Sequence, residues 1–205
     1  MARLALRVRG VGASSQARTL PPLLVLSDPE RTPDLMALAA ALPAGSGLVY
    51  RHFGAADRFE TGAALSAIVQ ANGIVFLVSG DPDLAAKCGA DGIHWPERDL
   101  PVAARLRARG DTRLFTAATH CARALHRARM AGVDAALVSP VFPSDSPSAT
   151  HPKGKWAAHA LVRAAGMPVY ALGGVNTRTA PRLVDLGFAG IACVGAIRSA
   201  ARTRT

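Results

Sequence analysis

Eight times along this chain a short apolar run is followed by a segment rich in Ala, Leu and Arg with helical period. The runs span residues 23–26, 48–53, 74–78, 92–95, 114–117, 135–138, 169–172 and 191–194. The helical segments between and after them span 32–42, 56–71, 83–88, 100–108, 122–131, 156–165, 179–186 and 196–201. Such alternation predicts a parallel sheet with crossover helices. The runs are continuously apolar rather than alternating, as burial on both faces requires. Eight units predict a single closed (β/α)8 barrel, a TIM barrel of the α/β class. With 205 residues the barrel is small, so its helices must be short. An open doubly wound sheet is the competing arrangement. No GxGxxG follows the first run, which weakens a dinucleotide-binding version of it.

No linker divides the chain. The domain reading is a basic extension at 1–20, a barrel over 21–200 and a basic tail at 201–205. The net charge of +10 belongs mostly to these ends. Arg3, Arg7, Arg9 and Arg18 precede the first acid, Asp28, and Arg198, Arg202 and Arg204 lie at the far end. A nucleic-acid groove would carry its cations on the fold, among aromatics that stack on bases. Aromatics make up only 5% of the chain, so no nucleic-acid partner is expected. No apolar run has the length of a membrane helix and the basic start lacks the core of a secretory signal, so no membrane partner is expected and the reading is cytoplasmic. Cys88, Cys121 and Cys193 show neither CxxC nor zinc spacing, and all three are expected as small core residues.

In a barrel of this kind chemistry gathers at the C-terminal strand ends. Arg51 and His52 follow the second run, and Ser79, Gly80 and Asp81 follow the third. His94 ends the fourth, with Glu97 and Asp99 behind it, and His120 follows the fifth. His94 is expected to pack at the rim and hold a neighbouring loop. Ser139 ends the sixth run and opens a loop, SPVFPSDSPSATHPKGK, with four prolines and five hydroxyl residues. Such a loop is either a binding lid or a tolerated insertion. The seventh run ends in Gly173–Gly174, and the eighth in Val194, Gly195 and Ala196. The loops after strands seven and eight commonly cradle phosphate in this fold. Paired glycines allow close backbone approach, but a tight turn would also use them.

The succession DGIHW, ATHC, GVDAALVSPVFPS, VYALGGVN and GIACVGAI resembles the thiamine phosphate synthase and TenI family, over about residues 22–200. The resemblance implies a (β/α)8 barrel. It implies a transferase that joins a hydroxymethylpyrimidine pyrophosphate to a thiazole phosphate, releasing pyrophosphate with Mg2+. The alternatives are a TenI-like, metal-independent thiazole tautomerase using His120 or a non-catalytic barrel that binds a phosphorylated small molecule. Phosphate binding falls to Gly173, Gly174, Val194, Gly195 and Ala196. Substrate binding falls to Arg51, Ser139, Ser144 and Ser146, and the metal position to Asp99. His120 matches a histidine common in the family, which is the proton-transfer residue of its tautomerase. Members often form homodimers, which the resemblance extends to this chain as an option. The family's pyrophosphate side is altered: its glutamine, lysine and one magnesium-binding aspartate stand here as Val49, Phe53 and Gly80.

Overall fold

The computed structural model describes residues 20–144 and 151–194. Eight parallel strands close into a barrel in sequence order, each paired with the next and the first with the eighth. They are β1 (Leu23–Leu26), β2 (Gly47–Tyr50), β3 (Val75–Ser79), β4 (Gly92–Trp95), β5 (Leu114–Thr119), β6 (Ala135–Val138), β7 (Val169–Ala171) and β8 (Gly190–Cys193). The described α-helices are α1 (Leu35–Ala41), α2 (Arg58–Ala71), α3 (Pro82–Lys87), α4 (Leu100–Ala108), α5 (Ala122–Met130) and α6 (Gly154–Ala165). They are short, as the chain length demands. The open-sheet alternative is excluded by closure.

The strands are buried on both faces because two cores meet at them. Leu24, Leu26, Val49, Leu77, Leu137 and Tyr170 fill the barrel interior. Leu48, Phe76, Ile93, Trp95, Phe115 and Phe188 belong to the layer between strands and helices. Interior space is fitted closely. A Cβ on Gly190 would lie 2.7 Å from the Tyr170 ring, so the absent side chain there makes room for that ring. The Tyr170 hydroxyl donates to the Pro21 carbonyl at 2.6 Å, tying the approach to β1 across the barrel floor. Tyr170→Phe should cost about 1–2 kcal/mol, because a buried acceptor loses a donor. A lower urea midpoint with an unchanged slope would register that loss.

Aspartates join strand starts on the face opposite the site. Asp91 accepts from the Phe76 amide and Asp134 from the Phe115 amide, each at 2.7 Å. Arg107 donates to Asp134 at 2.8 Å and to the Gly132 carbonyl at 3.0 Å, with its guanidinium 4.0 Å above the Phe115 ring centre.

One expected helix is absent. Between β7 and β8 the chain makes only a 3-10 turn, Ala180–Leu183, not a helix over 179–186. Pro181 lies in the first turn, where its missing donor is tolerated, but Val184 turns extended with ψ 139° and Asp185 takes a left-handed φ of 63°, which ends helical continuation. Cys121 also departs from expectation. It is exposed at the N-cap of α5, whereas Cys88 and Cys193 are buried. The basic ends, including the segment 196–201, lie outside the described residues.

Candidate active site at the C-terminal mouth of the barrel

The paired glycines form a turn that nothing larger could make. Gly173 and Gly174 have φ of 89° and 64°, in the left-handed region. A Cβ on Gly173 would lie 2.7 Å from Pro140 Cα, and one on Gly174 would lie 2.7 Å from Phe142 Cβ and closer still to the Pro143 carbonyl. The turn is therefore pressed against the start of the loop after β6. Val141 and Phe142 amides donate to the Leu172 and Gly173 carbonyls at 2.9 and 3.0 Å. The Thr179 hydroxyl donates to the Gly174 carbonyl at 2.7 Å. The carbonyls are thus engaged, whereas no hydrogen bond among the described residues uses the Gly173 or Gly174 amide. Packing requires the glycines, as the tight-turn alternative expects, and no described hydrogen bond occupies their N–H groups. Val194 follows β8 and is half-buried against the interior cluster. Gly195, Ala196 and Ser146 lie outside the described residues, and Ser144 is exposed in the loop after β6.

His120 and Ser139 are brought together from β5 and β6. His120 Nδ1 lies 3.0 Å from the Ser139 carbonyl oxygen and 3.3 Å from its Oγ. A carbonyl oxygen only accepts, so the contact places a proton on Nδ1. In the neutral ring Nε2 is then unprotonated and able to take or return a proton.

Arg51 continues β2 beyond Tyr50, two residues past the interior-facing Val49. Its amide is fixed by the Ser27 hydroxyl at 2.9 Å. Its guanidinium makes no hydrogen bond or ion pair with any described residue, and burial pulls its pKa below the usual arginine range. An ion pair with Asp99 is not formed; Asp99 lies 3.7 Å from the Arg98 Nε instead. His94 does not sit at the rim. It points into the barrel, almost fully buried, with Nδ1 2.9 Å from Thr116 Oγ1. Burial, reinforced by the Arg51 charge, holds its pKa down to about 3, so the ring is neutral. The signal for this was the spacing in GIH: Gly92 and His94 share the interior side of β4 with period two. Arg182 was also missed. Its guanidinium stacks 5.0 Å from the Phe142 ring that supports Gly174, which places a cation near the free amides.

The donor set does not compose a magnesium shell. Asp81 receives Arg58 at 2.7 Å and caps the Leu84 amide at 2.9 Å. Glu97 is paired with Arg127. Asp28 accepts the Glu30 and Arg31 amides in its own turn. Asp99 is left as a single carboxylate, and no group of three or more potential ligands occurs among the described residues. A protein-held Mg2+ typically uses one or two carboxylates in near-octahedral geometry with substrate oxygens. Asp99 alone, beside Gly80, is a poor fit.

Among the described residues no helix is long and apolar enough to cross a membrane. The family model for thiamine monophosphate synthase matches residues 23–197. A thiamine-phosphate synthase from Synechococcus sp. (strain WH7803) is 35% identical over 77% of this chain and 46% of its own length. One from Alcanivorax borkumensis is 34% identical over 85% of this chain and 84% of its own. The chain thus spans about half the length of some curated relatives it matches and most of others. A solved thiamine phosphate pyrophosphorylase from Pyrococcus furiosus shares the fold, with a TM-score of 0.75, 24% identity and 87% coverage of each chain. A match that runs through all eight strands places the chain in the thiamine monophosphate synthase family.

Proposed function

We propose that the protein is a thiamine-phosphate-synthase-type transferase. It would join a hydroxymethylpyrimidine pyrophosphate to a thiazole phosphate and release pyrophosphate. The carrying observation is the Gly173–Gly174 turn. It stands at the mouth of a barrel matched throughout by the family, with its amides unengaged among the described residues.

In this reading the thiazole phosphate lies against the amides of Gly173, Gly174 and Val194, continuing to Gly195 and Ala196. Arg182 adds a positive field beside them. The hydroxyls of Ser139, Ser144 and Ser146 offer donors and acceptors from the loop after β6. Arg51 faces the second substrate, where a half-buried guanidinium pairs with phosphate oxygens through its planar fork. Synthases of this family are magnesium-dependent in general. Asp99 would be the carboxylate nearest such an ion, but the fit described above is poor, and no step is routed through it.

Purified protein given both substrates should form thiamine phosphate, detected by chromatography. Absence of product at stoichiometric enzyme would sink this function. Arg51→Ala should lower kcat/KM about 100-fold, the scale of removing a charged donor from a developing anion. Arg51→Lys should recover only part of that, since the fork is lost.

A further inference from the structure

The side of the mouth formed by β2, β3 and β4 is built unlike the glycine side. Phe53 is large, apolar and 52% exposed. Its ring lies over the β3–α3 turn, such that a Cβ on Gly80 would be 3.4 Å from the ring edge and 3.5 Å from Pro96. Gly80 is therefore flanked by the Phe53 ring and by Pro96, and Pro96 leads directly into the turn carrying Asp99. Behind the ring, Arg58 stacks 5.4 Å from its centre while holding Asp81 at 2.7 Å and the Ser79 carbonyl at 2.9 Å. Two of the acids that border this gap are committed, Asp81 to Arg58 and Glu97 to Arg127, and Asp99 is left alone with only a long contact to its exposed neighbour Arg98.

Arg51 differs from all of these. Its guanidinium makes no ion pair or hydrogen bond with any described residue; the Asp28 charge favours it only through space, while the Asp28 carboxylate accepts the Glu30 and Arg31 amides. A half-buried cation with no direct partner is costly, and a bound anion relieves that cost. A hydrated magnesium ion here would meet an apolar ring against Gly80 and find Asp81 and Glu97 already paired, with Asp99 as a lone carboxylate.

We propose that this half of the mouth holds a phosphate or pyrophosphate group through Arg51 without a bridging divalent cation, and that Phe53 is the residue that excludes the metal. The synthase reading supplies only the identity of the anion. The geometry asks for an anion that arrives unchelated and is neutralised by guanidinium.

The test is calorimetric titration of the full chain with inorganic pyrophosphate, once in Mg2+ and once in EDTA. Wild type should bind in both, in EDTA at least as tightly as in Mg2+ to within about threefold, because dissolved Mg2+ competes for pyrophosphate. Arg51→Ala should weaken binding in EDTA by about tenfold or more, with Arg51→Lys retaining more affinity than Arg51→Ala. The double variant Phe53→Lys/Gly80→Asp should bind more tightly in Mg2+ than in EDTA by about tenfold. Thermal melts confirm that each variant is folded. A larger magnesium enhancement in wild type, no binding in EDTA, or an Arg51→Ala protein with unchanged affinity would overturn the proposal. An unchanged magnesium response in the double variant would remove Phe53 from it. Thiamine phosphate formation, assayed separately, bears on the transferase reading and leaves this binding result standing.

Discussion

Gly174→Ala should destabilise the protein by about 3 kcal/mol and abolish thiazole phosphate binding. Two costs combine. A left-handed backbone costs an L-residue roughly 1–2 kcal/mol. Forcing a methyl into a packed site costs roughly 1–3 kcal/mol more. At Gly174 both apply, since φ is 64° and the new Cβ would press on Phe142 at 2.7 Å. For a chain of this size the melting temperature should fall by about 6–12 °C. Gly45→Ala is the matched control. Gly45 has φ of 76° but nothing within 4 Å of an added Cβ. It should cost only the backbone part, about 1–2 kcal/mol, with phosphate binding untouched. Equal losses at the two positions in a differential scanning experiment would mean that the contact with Phe142 and Pro143 is unimportant. Retained binding in Gly174→Ala would mean that the phosphate lies elsewhere.

Acid should unfold the protein through His94. In the unfolded chain its imidazole takes a proton near its ordinary 6.5, whereas the buried ring resists until about 3. Between those values the unfolded state binds more protons, so stability falls as pH falls. Each pH unit in that window removes about 1.4 kcal/mol. By pH 5 the loss is about 2 kcal/mol, and near pH 3 it approaches about 5 kcal/mol. Above about pH 6.5 this histidine adds no pH dependence. His94→Gln keeps a polar group facing Thr116 but cannot titrate. Denaturant midpoints measured from about pH 7 down to about pH 4 should slope steeply in wild type and less in the variant. Parallel slopes would assign acid sensitivity to other groups, such as Asp111, whose carboxyl is held low chiefly by its hydrogen bond to Arg113.

The barrel was legible because its strands are short apolar words between polar or glycine punctuation. The first, fourth and sixth strands begin and end where the runs do. The second run was read too far: after Tyr50, Arg51 and His52 leave the sheet to make the mouth. The seventh helix failed because helical spacing persists through Pro181 and Asp185 while the backbone does not. At the site, the glycine turn could be read because glycine is chosen for backbone reasons that sequence displays. His120 with Ser139 required only neighbouring strand ends. The pairings that decide the opposite side could not be read. Arg58 meets Asp81 across 23 residues, and Arg127 meets Glu97 across 30. Either acid looks available in the sequence, and only folding reveals that it is spent. His94 was misplaced for a different reason. A histidine at a strand end suggests solvent, yet the period of β4 turns it inward.

The aspartates at the strand starts have a consequence for how such a chain changes over time. Asp91 and Asp134 fasten neighbouring strands on the face remote from the mouth, and Arg107 reinforces one of these joints. Ring closure is therefore secured without help from the rim. Substitutions at positions 53 and 80 leave these joints in place, because neither position carries one of them. The protein is a frame with an interchangeable fitting, and the fitting on the β2–β4 side is where its ancestry and its present chemistry have room to part.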